Sequence, residues 1–183
     1  MKKNNTSKAE EAPYTLKQFL LDTLQVVGSA LVLTFIILIF IQPCMVSGPS
    51  MKPTYQNKDF LILWKLGDVE RNDIVAFDSH NGRGKNGEGE DYIKRVIAVG
   101  GDHLVIRDSV VMVNGEIIDE PYILESTFNG NIDITVSDGY VFVMGDNRNN
   151  STDSRIMGEI NTEDILGKVL INFNKVFRDI KNK

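Results

Sequence analysis

A single cysteine, Cys44, stands in a chain of 183 residues, so neither an intrachain disulfide nor a multi-thiolate metal site can form. Histidine is almost as scarce. His80 falls in a Gly/Asn-rich stretch, His103 opens a strand-like run, and neither has a second ligand at a metal spacing. A metalloenzyme is therefore not expected, and no cofactor is called for. The same shortage leaves the usual Ser–His and Cys–His catalytic pairings poorly supplied. Long basic stripes are missing too. The formal net charge is −5, with lysines and glutamates interspersed, so the expectation is no nucleic-acid partner. The mildly basic C-terminal NKVFRDIKNK reads as a solvated tail.

What the chain does have is one long apolar run. Leu24 to Ile41 reads LQVVGSALVLTFIILIFI, without a charge and with only Gln25, Ser29 and Thr34 polar. As a helix it extends roughly 27 Å, close to the apolar thickness of a bilayer, and Pro43 is a natural stop. The run is long for the core of a cleaved signal peptide, and no small-x-small site follows it. The expectation is a retained anchor in a lipid bilayer. Lys2, Lys3, Lys8 and Lys17 precede the run, against Lys52 and Lys58 after it. That bias puts the N-terminus in the cytoplasm and the larger C-terminal part outside. The expected division is a cytoplasmic segment over 1–18, an anchor over 19–42 and a β-rich body over 43–183.

After the anchor the period changes. FLILWKL (60–66), DIVAF (73–77), YIKRVIAVG (92–100), HLVIRD (103–108), VVMVNGEII (110–118), DITV (133–136), YVFVMGD (140–146) and ILGKVLINF (165–173) are rich in Val, Ile, Phe and Tyr. Gly100–Gly101, Asn114–Gly115 and Asp138–Gly139 separate them, and Asn114–Gly115 between β-branched runs signals a hairpin. No βαβ alternation is present. The fold class is mainly β: one transmembrane helix, then an antiparallel sheet or barrel-like domain. The polar DSHNGRGKNGEGED (78–91) reads as a hairpin loop.

Chemistry has to come from what remains. PCMVSGPSMKPT (43–54) sets Ser47, Gly48, Pro49, Ser50 and Pro53 on one kinked segment, either a plain linker or a rigid cradle for a hydroxyl. A lysine can serve as base only when deprotonated. Its ordinary pKa near 10.4 must fall about 3 units, roughly 4 kcal/mol in favour of the neutral amine. Lys94 lies inside YIKRVIAV, sharing a face with Tyr92 and Val96 while Arg95 points to the other. Such a lysine is either a snorkelling edge residue or a base in an apolar pocket. MGDNRNNSTDSR (144–155) is either a surface loop of Asx turns or a buried hydrogen-bonded corner. A calcium loop is excluded there, because Arg148 and Ser151 would fall at ligand and glycine positions.

SGPSMKPT, RNDIVAF, YIKRVIAVGGD and GDNRNNSTDSR, in this order after an N-terminal anchor, resemble the bacterial type I signal peptidases of the single-span Gram-positive form. The resemblance covers essentially the whole chain. It implies a membrane-anchored serine endopeptidase that removes signal peptides from exported preproteins, working near the secretion translocon. By position it implies Ser50 as nucleophile, Lys94 as general base and Ser151 as the hydroxyl orienting the lysine. Asp153 and Arg155 resemble a bracing ion pair, and Asp146 an aspartate supporting the Lys94 strand through Arg95. The Ser50 N–H would form the oxyanion hole, and since Gly48 stands where some relatives carry serine, a second backbone donor or water would have to serve.

Substrate would bind extended, against Asp91, Tyr92 and Ile93 on one side and Val46 and Ser47 on the other, with Met51 nearby. Pockets would favour small side chains at the first and third positions before the cut. Asn149 and Asn72 depart from the aspartate and glycine common in the family, and Asn72 suits a left-handed backbone. Two other enzyme classes fit less well. A sortase needs a catalytic cysteine in the exported domain, and Cys44 sits beside Pro43 without an expected strand. A soluble serine–lysine autoprotease has no use for the anchor. A non-catalytic adaptor is the remaining alternative.

Overall fold

The computed structural model describes residues 15–79 and 91–181. It divides into two compact units at Leu38/Ile39. Most of the expected 78–91 loop and of the 1–18 segment lies outside the described residues.

The first unit is helix α1, Leu16–Phe40, long and apolar enough to cross a membrane. It begins earlier than the apolar run because a capping box sets its start. The Gln18 N–H donates to Thr15 Oγ1 at 3.2 Å, and Gln18 Oε1 accepts the Thr15 N–H at 2.8 Å. It ends at Phe40, and strand β1 (Ile41–Met45) follows without a linker. The expected link over Pro43 and Cys44 is thus a strand, antiparallel to β2 (Phe60–Trp64), with Cys44 opposite Leu61. Among the described residues β1 has no neighbour on its other side, and an edge strand tolerates a proline that cannot donate.

The second unit is two antiparallel sheets. β3 (Ile74–Asp78), β4 (Asp91–Val99), β9 (Tyr140–Met144), β10 (Ile160–Asn161) and β11 (Ile165–Asn172) join the first two strands in the order β1-β2-β11-β3-β4-β9-β10. The smaller sheet has the order β7-β6-β5-β8, from β5 (His103–Arg107), β6 (Val110–Val113), β7 (Glu116–Ile117) and β8 (Ile132–Thr135). Asn114 and Gly115 have φ of 54° and 84°, the doubly positive pair of a tight hairpin. Asp108 and Ser109 make a second such turn at 51° and 66°, which their sequence did not advertise.

Alternation along the strands assembles the core. Ile97, Phe142 and Met144 from the larger sheet meet Leu104, Ile106, Val111 and Val113 from the smaller one. Val75, Phe77, Val96 and Val143 pack on the opposite face. A third cluster, Val46, Met51, Tyr55 and Leu61, lies beneath the segment carrying Ser50. Two short elements were not foreseen: helix α2 (Ser154–Met157) and a single 3-10 turn at Thr162–Asp164. The expected C-terminal tail is likewise helix α3, Phe173–Lys181, a correction considered below.

Asn72 has φ 73°, as its residue type allows, and its carbonyl accepts from Arg95 Nη1 at 3.2 Å. Asn72→Ala should therefore cost about 1 kcal/mol of unfolding free energy in a denaturant titration, while Asn72→Gly costs none. Equal stability of the alanine variant would show that the turn is unstrained.

Candidate active site

The segment carrying Ser50 is a closed loop rather than a linker. The Val46 N–H donates to the Asp59 carbonyl at 2.9 Å and the Lys58 N–H to the Val46 carbonyl at 2.8 Å, which ties its two ends. Gly48 turns the chain at φ 89°, and its N–H donates to Asn57 Oδ1 at 3.1 Å. The Lys52 N–H closes a turn onto the Pro49 carbonyl at 3.0 Å, with Met51 and Tyr55 buried underneath. Ser50 is left at the surface of this turn, half-buried.

Lys94 comes from the middle of β4, opposite Val75 on β3, and is 2% exposed. Its Nζ lies 3.1 Å from Ser50 Oγ and 3.0 Å from the Ile93 carbonyl, with the Tyr92 ring centroid 5.0 Å away. Burial lowers its pKa from 10.5 to about 8, partly opposed by the charge of Asp153. At neutral pH a usable fraction of the amine is thus free to take a proton.

The 144–155 stretch is the buried corner, not a surface loop. β9 ends at Met144, and the chain folds back over Ser50: the Asn147 N–H donates to the Ser50 carbonyl at 2.9 Å and Asn147 Nδ2 to the Pro49 carbonyl at 3.2 Å. Asp146 takes Arg95 in both oxygens, at 2.8 and 2.7 Å, and accepts the Thr54 hydroxyl. Asp153 caps α2 and holds Arg155 through two bonds of 2.9 Å. It also accepts the Gly145 N–H at 3.0 Å. Although burial pushes the Asp153 carboxyl up, the Arg155 guanidinium and the Gly145 N–H pull it below its ordinary value.

The expected supports Asp146, Arg95, Asp153 and Arg155 are therefore joined as two buried ion pairs. Ser151 is different. Its Oγ is buried in the same cleft, near enough to Asp153 to lower that carboxyl, yet it makes no hydrogen bond of ordinary geometry to Lys94 or any other group. Ser151 Oγ crowds the space a side chain at Gly145 would need, and the Lys94 amine donates to the Ile93 carbonyl. Asn149 turns outward, Nδ2 donating to the Thr127 carbonyl at 2.8 Å.

A cleft of about 690 Å³ contains Ser50, Lys94 and Ser151 together with all six expected substrate contacts, Val46, Ser47, Met51, Asp91, Tyr92 and Ile93. Cys44 lines it too, and burial, with a smaller effect from Asp91, raises the thiol pKa. That keeps it protonated, unlike a nucleophilic cysteine. His103 is exposed and pairs with Asp133 at 2.9 Å, so it has no part in the cleft.

Sequence reasoning missed the outer brace. Arg148, 2% exposed, bonds Glu120 through Nη1 at 3.0 Å, Glu120 accepts the Tyr122 hydroxyl at 3.1 Å, and the Tyr122 ring lies 3.8 Å from the Arg95 guanidinium carbon. Only Arg148 had a signal, its place within GDNRNNSTDSR. Glu120 and Tyr122 sit in a segment with no pattern of its own.

A turn-held serine thus lies against a buried lysine amine in the β-rich unit that follows the apolar helix in the sequence. The family described as "Signal peptidase, peptidase S26" matches residues 20–174. Signal peptidase IB of Staphylococcus aureus is 34% identical over 181 residues, covering 86% of this chain and 91% of its own. Signal peptidase I of Bacillus licheniformis is 32% identical, covering 91% and 97%. A solved signal peptidase I from Enterococcus faecalis aligns with a TM-score of 0.47 at 30% identity, over 58% of this chain and 99% of that one. The chain belongs to the signal peptidase family, as a bacterial type I signal peptidase.

The buried amine has a stability consequence. The gap between 10.5 and about 8 corresponds to about 3 kcal/mol. Because the folded value is the lower one, this cost is fully present below pH 8 and is relieved as pH rises toward 10.5. Lys94→Met should raise the unfolding free energy at pH 7 by up to about 3 kcal/mol, the gain shrinking above pH 8. A variant no more stable at pH 7 would contradict the burial argument. Gly145 leaves no room for a side chain: a Cβ would lie 2.6 Å from the Ser50 carbonyl oxygen and 2.3 Å from Ser151 Oγ. Gly145→Ala should keep its far-ultraviolet circular dichroism yet lose more than about tenfold in peptide cleavage, because Ser50 must shift. Full activity would show that the turn can give way.

Proposed function

We propose that the chain cleaves signal peptides with Ser50 as nucleophile and Lys94 as general base. One observation carries this reading: Lys94 Nζ stands 3.1 Å from Ser50 Oγ inside a cleft that lowers its pKa to about 8. Neutral Lys94 takes the Ser50 proton as Oγ attacks the scissile carbonyl. The carbonyl oxygen becomes an oxyanion facing the Ser50 N–H. Lys94 then passes the proton to the departing amine, leaving an acyl-enzyme and a free base. A water loses its proton to Lys94, attacks the ester, and restores the Ser50 hydroxyl. No cofactor enters these steps.

The slot for the substrate is an unpaired stretch of strand. β4 pairs with β3 along Asp91–Arg95, but its pairing with β9 begins only at Arg95. The other edge of Asp91–Ile93 thus faces the cleft, opposite Val46 and Ser47. An extended segment can add there by main-chain hydrogen bonds. The half-buried surroundings of Ile93 and Cys44 suit small-x-small sites of the Ala-x-Ala kind. The apolar length of α1 supports a single-pass anchor, and the lysine bias before it supports a cytoplasmic N-terminus with the β unit outside. A protein so placed meets preproteins where the translocon releases them.

The test is cleavage of a preprotein with an Ala-x-Ala site by the detergent-solubilised full chain. Ser50→Ala and Lys94→Ala should be dead while Cys44→Ser cuts normally. For the unmodified protein, kcat/KM should rise about tenfold per pH unit below 8 and level off above it, since only the neutral amine is active. Activity retained in Lys94→Ala, or an acid limb far from pH 8, would overturn the mechanism.

A further inference from the structure

The connection between β7 and β8 belongs to the smaller sheet, yet residues from it close on the corner beside Ser50. The Leu124 N–H donates to the Asp146 carbonyl at 2.9 Å, Glu120 accepts from Arg148 Nη1 at 3.0 Å, and the Tyr122 ring lies 3.8 Å from the Arg95 guanidinium carbon. Among the described residues that line the cleft, none comes from this connection. Tyr122 is itself pinned. Its hydroxyl donates to Glu120 Oε1 at 3.1 Å, and burial, with the Glu120 charge adding to it, pushes its pKa up, so the donor stays protonated.

Arg95 is thereby held both in its plane and on its face. Asp146 takes Nε and Nη2 at 2.8 and 2.7 Å, the Asn72 carbonyl takes Nη1 at 3.2 Å, and the Tyr122 ring is close enough to stack. Hydrogen bonds in the plane leave a guanidinium free to tilt out of it, and a ring on the face stops that tilt. Both members of this ion pair are chain neighbours of groups at the site. Arg95 follows Lys94 on β4, and Asp146 precedes Asn147, whose N–H and Nδ2 hold the Ser50 and Pro49 carbonyls at 2.9 and 3.2 Å. A tilt of Arg95 therefore disturbs the separation of Lys94 Nζ and Ser50 Oγ from both sides, and a misplacement of about 1 Å can cost about a hundredfold in rate.

We propose that Tyr122 is a positioning residue for the Ser50–Lys94 pair, its ring keeping Arg95 on Asp146 and Glu120 keeping the ring in place; this rests on the reading of Ser50 as nucleophile and Lys94 as base. Because Tyr122 lies outside the cleft, its loss acts on turnover and leaves peptide binding alone.

The test compares the detergent-solubilised full chain with Tyr122→Phe, Tyr122→Leu and Tyr122→Met on a peptide with an Ala-x-Ala site. Val111→Ala, which opens a cavity in the core between the sheets, is the control for lost stability. kcat should fall at least about tenfold in the leucine and methionine variants and stay within about threefold in Tyr122→Phe, which keeps the ring. Peptide affinity, measured in a Ser50→Ala background, should be unchanged, and the acid limb of kcat/KM should stay near pH 8. Val111→Ala should keep its kcat despite a lower melting temperature. Unchanged kcat in the leucine and methionine variants overturns the proposal, as does failure of both to fold. So does an equal loss in Tyr122→Phe, which would credit the hydroxyl, or in Val111→Ala, which would credit stability. Weaker peptide binding would make Tyr122 part of substrate recognition, and an acid limb moved toward 10.5 would make it a seal against water; either overturns the clamp. All these results leave the mechanism standing, whereas activity in Ser50→Ala or Lys94→Ala overturns the mechanism and this proposal together.

Discussion

A lysine amine kept from water beside a hydroxyl is the interaction on which the rest of this structure depends. An ammonium in the same place would be penalised by about 3 kcal/mol, a large part of a domain's total stability. The fold tolerates this because Lys94 is in the middle of β4, held by β3 along Asp91–Arg95 and by β9 from Arg95 onward. The strand cannot slide to let the amine reach solvent without breaking both ladders and the packing of Val75 and Val96.

Around that amine, the carboxylates of the buried corner are committed elsewhere. Asp153 holds Arg155 and the Gly145 N–H, Asp146 holds Arg95 and Thr54, and Glu120 holds Arg148. Among the described residues Lys94 has no ion-pair partner of its own. A carboxylate given to Lys94 would raise its pKa and keep the amine charged. The three arginines therefore do more than brace the corner: by claiming the acids they leave Lys94 to the effect of burial. The charge of Asp153 reaches it only weakly, as the smaller of the two influences on its pKa.

The strands were legible because the residues carrying them alternate, and Asn114–Gly115 announced its turn by type. The Ser50, Lys94 and 144–155 segments were legible as motifs, although residue pattern alone left each with a plain reading beside the functional one. Other features could not be read for definite physical reasons. The Pro43–Cys44 strand was hidden because proline argues against a strand except at an edge, and edges are a tertiary property. Glu120 and Tyr122 act on Arg148 and Arg95, 28 and 27 residues away, a pairing no local pattern records. The geometry of Ser151 depends on how closely Gly145 packs, and α3 was masked by its charges, which drew attention away from the apolar Phe173, Val176, Phe177 and Ile180 between them.

The corner and the open edge of β4 have one origin. β9 pairs with β4 up to Met144, then leaves the sheet at Gly145, where a side chain would collide with Ser50. Had β9 continued, its next residues would have covered the edge of Asp91–Ile93 and filled the cleft there. By leaving there, the chain brings Asp146 onto Arg95, Asn147 onto the Ser50 carbonyl and Asp153 toward Lys94, and at once exposes one unpaired edge beside the serine. The residue that ends the ladder thus decides both how the amine is enclosed and which edge of β4 stays open. A side chain at position 145 would damage both, and that explains why a glycine with no unusual φ occupies the tightest point of the site.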